Sequence, residues 1–321
     1  MNILEQLFEN FSAAELPNQA LLADSVQWQV SHPFEPISTK QNVINDYFGV
    51  LKHSLPDIER KPFISIQGDY KGEQWVCATG YFTGTFTQPL LGIPASGKSV
   101  FIRYSEMAQI ENNQVVNVYT FLDLIDVMNQ VGVNPLRPSL GYPGLVMPPT
   151  TLDGVPTGDK NETLSKTNEQ LVVDMLTELG RYDGKDLYSI NLEKYWHPDF
   201  IWYGPAGIGT TRGISGFREH HQGPFLKGFP DRGINKTLCL VSHDNFVATG
   251  GWPHMYGTHT GEDWLGLPPS GNKLFPRVMD FWRCENGILK ENWVAIDIPH
   301  LLDGMGIDIF EQMQRKIATA N

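Results

Sequence analysis

Two stretches decide the fold: Leu91-Gly92-Ile93-Pro94-Ala95-Ser96-Gly97 and Leu265-Gly266-Leu267-Pro268-Pro269-Ser270-Gly271. They lie 174 residues apart, and the offset holds without a gap for 33 positions, from Leu91 with Leu265 to Asp123 with Asp297. Ten of these positions are identical, among them Phe101 with Phe275, Arg103 with Arg277 and Glu111 with Glu285. Ordinary residue frequencies give about two. The same offset pairs Trp28 with Trp202 and Pro56-Asp57 with Pro230-Asp231. Gly84-Thr85 and Gly257-Thr258 match at 173, which needs one single-residue indel. Chance similarity of one loop cannot stay in register over so many elements, so the chain is a diverged tandem duplication.

Length and composition agree. A chain of 321 residues suits two domains better than one core. Residues 134–162 carry Pro135, Pro138, Pro143, Pro148, Pro149 and Pro156 with glycines between them, which excludes a helix or a central strand. The expected organisation is a domain over 1–133, an extended surface connector over 134–162, and a second domain over 163–321. The net charge of -12 argues against nucleic acid and anionic membrane as partners. No apolar run reaches the ~18 residues of a membrane span. Cys77, Cys239 and Cys284 are too scattered for a disulfide framework and read as reduced thiols. Met1-Asn2-Ile3-Leu4-Glu5 has no basic region typical of a secretory signal, so the expected location is cytoplasmic.

Within the second copy the hydrophobic period changes partway. Thr167 with Gln170 fits a capping box, and Leu171, Val172, Met175, Leu176 and Leu179 follow at helical spacing up to Gly180. A short helix is expected around 186–196, and Phe200-Ile201-Trp202-Tyr203 reads as a strand. Ile214, Phe217, His221 and Phe225 mark the inner stripe of a third helix that stops before Pro230. Residues 236–244, 246–258, 273–284 and 288–297 then read as strands, with Gly250, Gly251 and Pro253 interrupting the second. Helices followed by a curved antiparallel meander predict an α+β cone with a pocket between sheet and helices.

Gly257-Thr258-His259-Thr260-Gly261, the Leu265–Gly271 loop, Glu285-Asn286-Gly287-Ile288-Leu289-Lys290-Glu291-Asn292-Trp293 and Pro198-Asp199-Phe200 together resemble the SnoaL-like polyketide cyclases. The resemblance covers nearly all of 163–310 and, more weakly, 20–132. It implies the nuclear-transport-factor-like fold in two tandem copies, and a cofactor-free cyclase that closes a ring by intramolecular aldol chemistry. It also implies an apolar or aromatic small-molecule ligand, and Asp297 as the acid/base. Because single domains of this family commonly dimerise, fusion implies an intrachain pseudo-dimer, with the chain monomeric or weakly associated. A non-catalytic binding module and a hydrolase or dehydratase on the same scaffold are the alternatives.

The residues supply candidates of their own. Glu291, Trp293, Ala295 and Asp297 alternate onto one strand face, which the resemblance turns toward the pocket. Asp297 also precedes Ile298-Pro299-His300-Leu301, where it would cap a helix. His259 could polarise a carbonyl or remain a loop histidine, and His221 could touch the ligand or simply wall the pocket. His220, about 100° around the helix, is expected to face out. Tyr256, Trp264 and Trp293 join His221 as substrate-binding candidates. Asp280 and Arg277, matching Glu106 and Arg103 in the first copy, read as a structural charge pattern. No metal or cofactor is expected, since no HExxH, CxxC or phosphate-loop spacing occurs. The first copy has Phe86 for His259 and Tyr47 for His221, and reads as degenerate.

Overall fold

The structure is a computed structural model that describes residues 1–262 and 264–320. The chain divides into two compact α+β units. Unit 1 holds Met1–Pro135 and Leu152–Thr157 together with the chain from Asp308 on, while unit 2 holds Leu136–Thr151 and Gly158–Ile307.

Unit 1 is a six-stranded sheet in the order β2-β1-β6-β5-β4-β3. Its strands are β1 (Leu22–Val30), β2 (Ile37–Ser38), β3 (Glu59–Tyr70), β4 (Glu73–Thr85), β5 (Ser99–Glu111) and β6 (Gln114–Leu122). Only β1 and β6 pair in parallel. The hairpins turn at Lys71-Gly72 and Asn112-Asn113, where all four residues take positive φ, as a two-residue turn matched to strand twist requires. A helical stretch over 40–54 lies on one face, so Trp28, Tyr47, Phe48 and Phe82 become fully buried. Each contributes roughly 1.5–3 kcal/mol by leaving water. The first helix, Ile3–Leu7, has five residues held by a capping box between Asn2 and Glu5. The helix Ile309–Ala320 also belongs to this unit, burying Ile309 and Met313 and donating from Gln314 Nε2 to the Gly92 carbonyl at 2.9 Å.

Unit 2 repeats the plan. Its six-stranded sheet runs β10-β11-β14-β15-β7-β8, from β7 (Trp196–Tyr203), β8 (Thr211–Arg212), β10 (Cys239–His243), β11 (Phe246–Gly251), β14 (Val278–Glu285) and β15 (Ile288–Ile296). β15 pairs with β7 in parallel. The Gly251–Pro253 break ends β11, and the chain resumes in a three-stranded extension of β13 (Lys273–Leu274), β12 (Met255–Thr258) and β9 (Gly233–Ile234). The duplication is visible in the contacts themselves. Asp57 accepts from the Thr85 amide and hydroxyl at 2.6 and 2.7 Å, and Asp231 grips Thr258 at the same two distances.

Two helical expectations change. The long helix is Glu162–Leu179, capped by Asn161 through Leu164 N at 3.0 Å rather than by Thr167. Thr167 lies inside it, its hydroxyl bonded back to the Thr163 carbonyl. The short helix expected near 186–196 is two 3-10 turns, Leu187–Ser189 and Leu192–Lys194, because the chain from Trp196 is taken up by the sheet.

Residues 136–151 form a strap on unit 2. Gly141 and Tyr142 exchange backbone hydrogen bonds with Ile208 and Thr210 at 2.8–2.9 Å. The approach requires glycine: Gly209 has φ +84, and a Cβ there would lie 2.6 Å from the Gly141 carbonyl carbon.

Candidate active site

The helical stretch over 213–228 packs against the sheet of unit 2 through Phe217, His221 and Phe225. The His221 ring stacks on Trp202 at 3.9 Å and on Phe225 at 5.9 Å. Around it opens a cleft lined by Arg137, Leu140, Ile208, His220, Trp264 and Leu265, with a free volume of about 10 Å³, room for one water molecule. Burial pushes the His221 pKa down to about 3, so the imidazole is neutral at physiological pH, and its Nδ1 has no hydrogen-bond partner. His220 lines the cleft as well, contrary to the outward position expected for it. The wider π-turn over Arg218–Gln222 alters the angle between successive residues and brings both histidines to the opening.

His259 and Trp264 join this wall through Phe229, whose ring lies 5.2 Å from His259 and 5.1 Å from Trp264. His259 is buried rather than a solvated loop residue. Its Nδ1 accepts from Ser270 N at 3.2 Å, which leaves the proton on Nε2, and burial lowers its pKa.

The strand faces divide the remaining candidates. Trp202 is opposite Asn292, Asn292 is opposite Trp282, and Trp282 lies two residues from Asp280, so these four share the face that the helices cover. Trp293 belongs to the other face. It stacks on Tyr203 at 5.3 Å and donates its indole N–H to the Met147 carbonyl of the strap at 2.7 Å. Alternation placed Glu291, Trp293 and Ala295 together correctly but could not say which side the helices take. Tyr256 sits in the three-stranded extension under the Lys273 ammonium, 5.0 Å from its ring, and does not line the cleft.

Asp297 is buried, and both of its oxygens are engaged. Oδ1 accepts from His300 N at 3.2 Å, capping the helix Ile298–Gly304, and Oδ2 pairs with Arg277 at 2.9 Å. Asp123 caps Leu124–Gln130 in the same way, and its charge works against the burial of Arg103. The cap and its arginine therefore recur in both copies. Asp280, grouped with Arg277 from the sequence, is not that arginine's partner.

Asp280 instead faces the helices from the middle of β14, with Asn292 Nδ2 donating to it at 3.3 Å. Burial raises its pKa from 3.8 to about 7, and the Asn292 bond opposes that rise only in part. Near neutrality such a carboxyl can both take and return a proton. It was hidden in the sequence because β14 and β15 are buried on both faces and mix polar with apolar residues on each, leaving no alternation to mark the inner one. The retained acid at Glu106 and Asp280 was the available signal. Among the described residues no three His, Cys, Asp or Glu side chains converge as a metal-binding group.

The profile of the SnoaL-like polyketide cyclase family matches residues 21–131 and 182–303. The chain belongs to that family, as two copies of its domain. Similar solved structures include a candidate SnoaL-like polyketide cyclase from Jannaschia sp. CCS1, 20% identical over 40% of this chain and 88% of that one, TM-score 0.34. IdmH, a candidate polyketide cyclase from Streptomyces antibioticus, is 23% identical over 42% and 98%, TM-score 0.34. An NTF2-like protein from Burkholderia xenovorans LB400 is 17% identical over 44% and 97%, TM-score 0.34. No curated protein is similar to the chain in sequence. Among the described residues no helix is long and apolar enough to cross a membrane.

Proposed function

We propose that unit 2 is a cofactor-independent cyclase for a small poly-carbonyl substrate, with Asp280 as its acid/base. Asp280 removes a proton from a carbon between two carbonyls, and the enolate attacks a third carbonyl of the same molecule. The carboxyl then returns the proton to the new alkoxide. Charge on such an enolate is spread over the substrate's own carbonyls, so the protein needs to supply orientation and a base of matched pKa. Neutral His221 and His259 suit hydrogen bonding to the substrate rather than carrying charge, and Trp202, Trp282 and Trp264 offer flat apolar walls.

The observation that carries this reading is a carboxyl on the helix-facing side of the sheet, held near pH 7 by burial. Asp297, with its cap and its arginine, serves the fold in this proposal. The test is turnover of a linear β-keto ester that carries a further ketone placed to close a six-membered ring, followed by the absorbance of the cyclised product. Asp280→Asn is expected to lower the rate about a hundredfold or more, whereas Asp297→Asn retains most of it. The reverse result would return the base to Asp297. Tight binding without turnover in the wild type would favour the non-catalytic binding module.

A further inference from the structure

Unit 1 carries a buried polar cluster that its degenerate histidine positions did not foretell. Glu106, which matches Asp280, is fully buried and pairs with Arg60 at 2.7 Å, whose side chain is 2% exposed. The Arg60 guanidinium lies over the Phe8 ring at 4.3 Å and the Tyr104 ring at 4.6 Å. Tyr47, in the place of His221, closes the cluster from the helical side, 5.7 Å from Trp28. Thr120, whose hydroxyl accepts from Trp28 Nε1 at 3.0 Å, is the polar group beside its phenol.

Four polar atoms here are buried without a hydrogen-bond partner: Tyr47 Oη, Tyr104 Oη, Arg60 Nε and Glu106 Oε1. Orphans of this kind are rare in folded proteins, and several acting on one another point to a missing partner. Their chemistry is complementary to a single oxygen. Tyrosine and arginine N–H and O–H groups would donate to it, and the Glu106 carboxylate would accept its proton. A phenol or enol hydroxyl both accepts and donates in that sense. The surrounding Trp28, Phe48, Phe82 and Tyr104 rings suit a planar carbon skeleton. Phe8 sits over Arg60 directly after the five-residue helix Ile3–Leu7, a length that is marginal without its capping box and its packing.

We propose that unit 1 holds a second small-molecule site, walled by Tyr47, Arg60, Tyr104 and Glu106, that binds a planar phenol or enol through its hydroxyl oxygen. The site is independent of the Asp280 chemistry and needs no turnover. The test is calorimetric titration of the full chain at pH 7 with 2-naphthol, and with 2-methoxynaphthalene, which has the same rings but cannot donate. The wild type is expected to bind 2-naphthol and to bind the methyl ether about tenfold more weakly, the scale of one hydrogen bond. Tyr47→Phe with Tyr104→Phe should weaken the unit 1 component about a hundredfold, and Asp280→Asn should leave it unchanged. Tyr104→Phe alone and Glu106→Gln, each about tenfold, carry the test if the double variant does not fold. Absence of binding, equal binding of the two probes, or wild-type binding by the tyrosine variants would overturn the proposal and leave the cluster to an ordered water.

Discussion

A carboxyl held at about 7 in the folded state but near 3.8 in an unfolded chain leaves a signature in stability. Between those values the folded protein keeps a proton that the unfolded chain has released. Stability from this group is therefore greatest below about pH 4, falls as pH rises through the window, and is level above about 7. Asp280→Asn removes that fall. Urea unfolding should show the variant more stable than wild type at pH 8, with the gap closing toward pH 4, and parallel curves would mean that Asp280 is not held up by burial. Asp297 behaves differently. Asparagine also caps helices, so Asp297→Asn should cost only about 1 kcal/mol, mostly from Arg277, whose side chain is 23% exposed, losing its partner. The capping role was legible from Asp before Ile-Pro. The burial of Asp280 on the helix-facing side was not, because nothing local distinguishes the inner from the outer face of a strand buried on both.

At the scale of elements, the strap over 136–151 was expected as a surface connector, and its proline content does keep it extended. Its seating on unit 2 comes from particular contacts: the exchange of backbone bonds with residues 208–210, the Trp293 indole on Met147, and Thr210 Oγ1 donating to Leu145 O at 2.5 Å. Gly209→Ala places a methyl group against Gly141 and forces an L-residue to φ +84. It should destabilise unit 2 by more than about 1 kcal/mol and make residues 136–151 the first site of limited proteolysis. Unchanged proteolysis would show that the strap does not depend on this approach. The π-turn at Arg218–Gln222 is an element that periodicity missed, since a 3.6-residue repeat fitted to Phe217, His221 and Phe225 remains acceptable across one wider turn.

For the whole molecule, the duplication read from the 174-residue offset is reproduced in two six-stranded sheets, each with one parallel pair in the equivalent place. The assignment of segments to units was less accessible. The helix Ile309–Ala320 follows unit 2 in the chain but packs in unit 1, where Phe310 lies 6.2 Å from His32 and Lys316 Nζ donates to the Asn134 carbonyl at 2.5 Å. Ending the chain after Ile307 should therefore lower the melting of unit 1 selectively. Hydrogen exchange should show lost protection in β1 and in the Leu90–Ile93 turn, with unit 2 strands unaffected.

The two-copy plan and the main strands of the meander were determined by the sequence itself, because they rest on local period, turn residues and a fixed offset between similar stretches. The short strands β8, β9, β12 and β13 and the pairing register were not. Asn286-Gly287 and the break at Gly251–Pro253 could each be read within a few residues of where they act. Which sheet face meets the helices, which acid is desolvated and which arginine faces which carboxylate depend on groups far apart in the chain. Asp280 and Asn292 come from neighbouring strands, and Arg60 meets Glu106 across 46 residues. Those pairings follow from how the strands order and which layer covers them. Tertiary structure decided them, because desolvation is a property of everything that surrounds a group and not of the residues beside it.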